Sequence, residues 1–439
     1  MDTHRLKKLL LPLIFEQLLA VSVGFIDTFM VSKVGEAAVS GVALVDTINL
    51  LVMQVMAAFS AGGIVIISQY IGDKKEESIG SACKHLELLL YSFSSLVMLI
   101  FLVFGKGILK ILFGKIEDEV MSASVEYLTI TAISFVFWGL YTAGAAILRC
   151  HENTKTAMKV SIVMNIMNVI LNAFFVFVMH LGVMGVAIAT LISRGVAGSV
   201  MKFVLIRSKD KLHGNYNMKN VSAAMMKKIL AMGVPSGIEN GMFHVGKLVL
   251  TSVIATLGTT AIAANSISYQ IIEFPNILGV SIGLALVVIV GQDIGAGEKE
   301  KAVSDTKYMI KLAYVCDWIC KISLFFLAPL IVSAFSLSQE ATATAVLVLR
   351  CFSIAALPIW PLSFTLPNAL KGAGDVKYSM IASMVSMWFG RVIVAYVLIV
   401  YFNLGILGVW IGMFVDWYGR GISYLLRFKS KKWLNKRAI

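Results

Sequence analysis

Long apolar stretches, separated by short polar segments, follow one another along almost the whole chain. Twelve of these stretches have roughly the 20 residues that a helix needs to cross the hydrocarbon core of a bilayer. Runs such as SLVMLIFLVF are apolar throughout, whereas the strands of a membrane barrel would alternate between two faces. The pattern therefore predicts twelve transmembrane helices near residues 9–32, 42–71, 85–104, 125–148, 158–179, 184–206, 227–257, 262–295, 308–335, 343–370, 380–402 and 405–427.

The second half of the chain repeats the first at an offset of 223 positions. The offset becomes 222 around Leu148 and Lys155, which match Leu370 and Lys377, and then returns to 223. Six helices are an even number, so both repeats have the same orientation, and we predict two parallel six-helix lobes, residues 1–212 and 213–439. An approximate two-fold axis along the membrane normal relates such repeats in many transporters. The matches include Pro12 with Pro235, Glu16 with Glu239, Gly35 with Gly258, Gln69 with Gln292, Gly72 with Gly295 and Lys84 with Lys307.

Composition supports an integral membrane protein, with 58% apolar residues and 14% charged residues. The formal net charge of +13 comes from lysines and arginines between alternate apolar stretches. Because cytoplasmic loops collect basic residues, this distribution predicts a multi-pass protein of the cell membrane with both termini in the cytoplasm. Membrane topology thus explains the charge, and we expect the lipid bilayer, not nucleic acid, as the partner. The polar segment from Arg207 to Asn220 is the predicted linker between the lobes.

Ionisable residues inside the predicted helices are the candidates for function, because each costs roughly 2.5–3.5 kcal/mol at mid-helix unless it has a partner or water. Two structural pairings are open: Arg391 with Asp416, and Glu239 with Lys247, which lie on a similar helix face. No nucleotide-binding or zinc motif is present, the five cysteines lack metal-ligand spacing, and the scattered ionisable residues do not form an enzyme site. The candidates are Glu16, Asp27, Arg194, Glu239, His244, Lys247, Glu273, Asp317, Lys321, Arg350, Arg391, Asp416 and Arg420.

Several segments resemble the multidrug and toxic compound extrusion (MATE) transporters. They are LLLPLIFEQLLAVSVGFIDTFMVSKVGEAAVSGVAL, ISQYIGD, IVGQDIGAG, NIMNVILNAFFVFVMHLGVMGVAIATLIS, NALKGAGDVK and LGILGVWIGMFVDW. The resemblance covers almost the entire chain. It implies two six-helix lobes and alternating-access export of amphipathic, often cationic, organic compounds in exchange for Na⁺ or H⁺, without a cofactor.

The resemblance also assigns residues. Asp27 matches the aspartate of the cation site in the amino-terminal lobe, where it could hold Na⁺, and Pro12 matches the proline at which helix 1 bends. Asn168 and Asn172 match polar positions of the same site, although the second position is often Asp, which leaves Asp27 as the expected carboxylate of the pocket. The places that match an acidic pair in the carboxy-terminal lobe hold His244 and the neighbourhood of Trp360.

Three alternatives stay open at this point. Glu239 is a candidate substitute for the missing acidic pair. Asp27 is either the coupling residue or a packing residue bonded to neighbouring hydroxyls or to Arg194. The leading function is a cation-coupled exporter of organic compounds, expected as a monomer, and the alternative is a flippase of lipid-linked saccharides with a related fold.

Overall fold

A computed structural model describes the backbone of residues 3–32, 34–114, 117–208, 221–335 and 337–439. The side chains of residues 3–4, 23–29, 31–32 and 36–37 are outside the description. Helices make up nearly all of the described part of the chain, and no strand occurs within it. Most of the predicted linker between the lobes, residues 209–220, lies outside the described residues.

Twelve long helices follow one another in the part of the chain that the structure describes. α10 consists of two arms, α10a (Gln339–Ala356) and α10b (Pro361–Gly372), which meet at an angle of 72°. A short 3₁₀ turn, Lys432–Asn435, follows the last helix. The other helices are α1 (Thr3–Ser32), α2 (Glu36–Gly72), α3 (Glu76–Phe113), α4 (Asp118–Cys150), α5 (Thr154–Val178), α6 (Gly182–Arg207), α7 (Ala223–Ala255), α8 (Thr259–Gly295), α9 (Lys299–Ser333), α11 (Val376–Val400) and α12 (Gly405–Lys429).

The helices have the length and the apolar surface of membrane spans. Among the described residues, eight helices are long and apolar enough to cross a bilayer, and the two arms of α10 together make a ninth. The remaining long helices, α1, α7 and α12, complete the twelve that the apolar pattern predicts. In α3, only 11% of the most apolar window is buried inside the protein, and Leu96, Val103 and Phe104 are exposed. Such a surface is stable against lipid, so the chain is a multi-pass membrane protein.

Backbone geometry repeats between the two halves of the chain. Five positions of the first half with a positive φ angle recur in the second half at the offsets found in the sequence. One of them has the slipped offset of 222, which supports the predicted register shift. An internal duplication therefore accounts for the bends between helices as well as for the helices. The pairs are Gly35 with Gly258, Lys74 with Gly297, Glu152 with Gly374, His180 with Asn403, and Gly182 with Gly405.

The chain divides into two compact units, residues 4–237 and 238–439, and the division falls inside α7. In the first unit, α4 packs against α2, α3 and α6, around a core that includes Val45, Leu128 and Val186. In the second unit, α8 packs against α9 and both arms of α10. The predicted boundary between residues 212 and 213 lies in the linker, outside the described residues, and stays a prediction.

Irregular helix geometry occurs at three places that shape the interior of the lobes. α5 ends in a π-helical turn, Phe174–Val178, and α11 contains a longer one, Ser386–Ile393. At the bend of α10, the Tyr314 hydroxyl donates to the Pro358 carbonyl at 2.7 Å, and Trp318 Nε1 donates to the Leu357 carbonyl at 3.0 Å. Because the bend removes helical partners from these carbonyls, the two side chains from α9 stabilise it.

Candidate cation and substrate site

A short chain of polar side chains joins α5 to α6 in the first lobe. Asn172 Nδ2 donates to Asn168 Oδ1 at 3.2 Å, and Asn168 Nδ2 reaches the Thr190 hydroxyl oxygen at 3.5 Å. Both asparagines are buried. The structure thus brings together the two helix 5 residues that the sequence analysis placed in one site, and it adds a hydroxyl from α6.

Asp46 on α2 is a carboxylate that the sequence analysis did not single out. Its Oδ1 accepts a hydrogen bond from Asn49 Nδ2 at 3.3 Å, and it interacts with the Tyr127 hydroxyl and with the charge of Arg194. The Asp46 side chain is exposed on the lobe, whereas Asn49 is buried. An exposed carboxylate in a membrane-crossing helix needs water or a polar surface. Asp46 therefore indicates a hydrated polar patch in the first lobe.

Arg194 connects this patch to the asparagines, because it lies one helical turn after Thr190 on α6. Its guanidinium donates to the Ser134 hydroxyl at 2.9 Å and to the Met53 sulfur at 3.8 Å. The guanidinium carbon also lies 5.2 Å from the ring centre of Trp138. A cation held by a ring, a thioether and a hydroxyl keeps a fixed position, so Arg194 partly balances the charge of Asp46.

The backbone of Asp27 belongs to α1, but its side chain lies outside the described residues. Its predicted role at the cation site, and its predicted contact with Arg194, therefore stay predictions. The same helix also contains Pro12, the residue predicted as the point of bending.

α1 continues as an α-helix through Pro12. Because proline has no N–H, the carbonyl of Lys8 loses its helical partner. The Thr154 hydroxyl lies 3.1 Å from the Lys8 carbonyl oxygen and 3.3 Å from that of Leu9, so it supplies a donor. One turn earlier, Arg5 Nε donates to the Glu152 carboxylate at 2.9 Å. Through these hydrogen bonds, the turn between α4 and α5 holds the amino-terminal part of α1 in position.

A buried charged cluster occupies the second lobe. Asp416 Oδ2 lies 2.7 Å from Arg391, and Asp416 Oδ1 lies 3.0 Å from Arg420 Nε. The two guanidinium groups lie 5.0 and 5.8 Å from the ring centre of Phe243, and that of Arg420 lies 4.6 Å from the ring centre of Phe364. The predicted pairing of Arg391 with Asp416 is confirmed, and Arg420 is a further partner.

A second buried pair lies on α9, where Lys321 Nζ bonds to Asp317 one turn away. The ammonium group also lies 4.5 Å from the ring centre of Trp360 and 5.4 Å from that of Phe352. Trp360 is buried and stacks on Phe364 with ring centres 5.0 Å apart. The neighbourhood of Trp360, which the resemblance matched to an acidic position, is therefore an aromatic cluster around a lysine.

Three further candidates of the second lobe also have partners. Glu239 forms an ion pair with Lys371 on α10b at 2.8 Å. Lys247 lies 4.9 Å from the ring centre of Tyr269, and it interacts electrostatically with the half-buried His244. The suggested pairing of Glu239 with Lys247 is therefore wrong, since the partner of Glu239 comes from another helix. No group of three or more His, Cys, Asp and Glu side chains that could hold a metal ion occurs in the described part of the chain.

The signal for Asp46 was present in the sequence, because Asp46 stands inside the predicted apolar stretch 42–71. Its contacts with Asn49, one turn away, and with α4 and α6 depend on helix packing, which the sequence pattern alone does not reveal. The signal for Lys371 was weaker, because this lysine lies at the end of its predicted helix, in a basic segment assigned to a loop.

Comparison with known proteins agrees with the fold. Residues 12–174 and 235–397 each match the MatE family model. The probable multidrug resistance protein NorM of Thermotoga maritima is 27% identical over 98% of this chain and 93% of its own length. The multidrug export protein MepA of Staphylococcus haemolyticus is 24% identical over 91% of this chain and 87% of its own length.

Solved structures share the same arrangement of helices. A structure described as the outward-facing conformation of a multidrug resistance MATE family transporter of the MOP superfamily has a TM-score of 0.91 at 20% sequence identity. The match covers 98% of this chain and 96% of that one. A structure of MATE in the bent conformation has a TM-score of 0.90 with the same identity and coverage. Because the family model matches most of the sequence, once in each half, the chain belongs to the MATE family of membrane transporters.

Proposed function

We propose that this protein exports amphipathic, often cationic, organic compounds in exchange for Na⁺ or H⁺. The observation that carries the proposal is Asp46, an exposed carboxylate in a membrane-crossing helix, next to Asn49 and Arg194. A carboxylate in such a place attracts the positive group of an organic substrate. The names of relatives such as NorM and MepA support multidrug export.

The proposed cation site combines Asp27 with the polar side chains of α5 and α6. A sodium ion needs several oxygen ligands, and the amide oxygens of Asn168 and Asn172 are suitable ones. A proton needs only a carboxylate. In either case, the arriving cation neutralises Asp27, and α1 then rearranges around Pro12 so that the substrate is released. Asp46 serves as the second carboxylate of the proposed site and holds the substrate cation until the exchange.

The proposal includes the placement of the protein in the cell. We infer a monomer in the cell membrane, with both termini in the cytoplasm, from the basic segments between alternate helices. The cytoplasmic side is then the side from which the substrate enters, and the coupling ion enters from outside.

The flippase alternative receives no support from the interior of the second lobe. A cavity for a lipid-linked saccharide would need basic side chains that are free to bind phosphate. Arg391 and Arg420 are instead buried, paired with Asp416 and covered by aromatic rings. In the first lobe, Arg194 is held by Ser134 and Trp138.

The test is ethidium exchange in proteoliposomes that contain the purified protein, under separately imposed sodium and proton gradients. We expect one gradient to drive ethidium transport, and Asp27→Asn and Asp46→Asn to lose most of it. Asp118→Asn is the matched control, because Asp118 is exposed in the first turn of α4. Wild-type protein that moves no ethidium under either gradient, or that co-purifies with a lipid-linked saccharide, would refute the proposal.

A further inference from the structure

The two repeats contain matching ion pairs between their first and fourth helices. In the first repeat, Glu16 Oε2 on α1 lies 3.5 Å from Arg149 on α4. In the second, Glu239 Oε2 on α7 lies 2.8 Å from Lys371 on α10b. All four side chains are largely buried, with exposed fractions between 12 and 20%. The same pair therefore exists twice, with arginine in one copy and lysine in the other.

The offsets show that the two pairs are copies of each other. Glu16 and Glu239 are 223 positions apart, and Arg149 and Lys371 are 222 apart, as the register slip in that part of the chain requires. Arg149 and Lys371 each lie in the last turn of their helix, where the helix dipole favours a positive charge. Each glutamate stands four residues, about one turn, after a proline of the first or seventh helix.

The surroundings of the two glutamates match in part. Ser161 and Ser383 are 222 positions apart, and each interacts with a tyrosine hydroxyl that is electrostatically coupled to the glutamate. The tyrosine comes from α4 in the first repeat, where the Tyr141 hydroxyl lies 3.4 Å from Glu16 Oε1. In the second repeat it is Tyr424, from α12. The second tyrosine comes from another helix and its hydroxyl donates to the Ser379 carbonyl at 3.0 Å, so the two polar settings are similar but not identical.

We propose that Glu16 and Glu239 are positioning residues for transport. Each one fixes the first helix of its repeat to the end of the fourth helix, just beyond a proline. In the first repeat, this contact lies between Pro12 and Asp27, so that it sets how far the part of α1 that carries Asp27 can turn about the proline. The inference rests on the proposed exchange of an organic compound for a cation.

A role in helix packing alone does not explain why both repeats contain a buried ion pair at this place. Carboxylates and their bases are expensive to place inside a membrane protein, and an apolar pair of similar volume holds two helices equally well or better. A pair that must hold two helices while the gap between them changes benefits from charge, because Coulomb attraction weakens only as 1/r, whereas packing contacts are lost within about 1 Å. Glu16 and Glu239 bind neither ion nor substrate in this proposal, so their loss changes the turnover rate and leaves the KM for substrate unchanged.

The experiment is ethidium exchange in proteoliposomes, with initial rates measured over a range of ethidium concentrations. In the first repeat, wild type is compared with Glu16→Gln, Arg149→Gln and the swapped variant Glu16→Arg with Arg149→Glu. In the second, the set is Glu239→Gln, Lys371→Gln and Glu239→Lys with Lys371→Glu. Glu340→Gln is the control, because Glu340 is exposed in the first turn of α10a. Rates are expressed per mole of protein that elutes as folded in gel filtration.

We expect each single variant to turn over about tenfold more slowly with an unchanged KM, and each swapped variant to recover most of the lost rate. The inference would be overturned if the single variants had wild-type turnover, or if the swapped variants folded but recovered none of the lost rate. A raised KM at unchanged turnover would also overturn it. If wild type transports and the variants match it, only this inference fails. If wild type transports nothing, the proposed function fails and this inference with it.

Discussion

The buried cluster of the second lobe predicts that its three members differ in importance. Asp416 is the only acid among the three, and it contacts both arginines, with exposed fractions of 0, 3 and 5% for the side chains of Asp416, Arg391 and Arg420. The cluster therefore carries one excess positive charge. Asp416→Asn would leave two buried guanidinium groups without a counter-charge, whereas Arg391→Met would leave a neutral pair of Asp416 and Arg420.

The size of the difference follows from what is known of buried ion pairs. Removing one partner of such a pair costs about 3–5 kcal/mol, whereas replacing a buried charge so that neutrality is kept is close to neutral. For a unit of this size, 1 kcal/mol changes the Tm by roughly 2–4 °C. We therefore expect Asp416→Asn to lower the Tm by roughly 6–20 °C. Arg391→Met should stay within about 4 °C of wild type, because the apolar side chain replaces the stem of the arginine beside Phe243.

The assay is thermal unfolding of the purified protein in detergent, followed by the fraction that remains monodisperse in gel filtration. Asp118→Asn, the exposed control, should leave the Tm unchanged. The reasoning is refuted if Asp416→Asn unfolds within 3 °C of wild type, or if Arg391→Met is as unstable as Asp416→Asn.

Three further substitutions test other contacts by the same unfolding measurement. Thr154→Val should cost about 1–3 kcal/mol, because it removes the donor for the α1 carbonyls near the proline, and Thr154→Ser should restore it; equal losses in both would contradict this. Asp317→Asn should cost about 3–5 kcal/mol, because Lys321 is fully buried, whereas Asp317→Leu with Lys321→Met should be close to neutral; an unstable double variant would argue against an isolated pair. Gly62→Ala should cost about 1–3 kcal/mol, because a Cβ there would lie 2.3 Å from the backbone oxygen of Ile229 in α7. An unchanged Tm for this variant would show that α2 and α7 are not tightly packed at Gly62.

Much of the fold could be predicted from the sequence, because lipid leaves few alternatives to helices long enough to span it. The apolar stretches located all twelve helices, and the recurring prolines, glycines and glutamines revealed the duplication. The helices are longer than the stretches, however. α3 begins at Glu76, well before the predicted start at residue 85, because its first turns are polar and extend beyond the apolar core.

The candidate site was harder to predict, because its contacts join helices that are distant in the sequence. The Arg391 and Asp416 pair was accessible, since both residues lie on the last helical hairpin and carry opposite charges. Lys371 was not, because its contact with Glu239 depends on the bend that creates α10b. Hydropathy reports which residues avoid water, and it does not report which polar residues meet inside a bundle.

Because the positive φ angles recur, the two halves of the chain can be compared position by position, as two related sequences would be. Of the five pairs of positions, which lie in four turns, two have glycine in both copies, two have glycine in one copy and a long polar side chain in the other, and one has His180 and Asn403. Bend geometry has therefore persisted while the side chains diverged. Turns from one half could be transplanted into the other as interchangeable modules, and the tolerance of each transplant would show which half has adapted its turn to function.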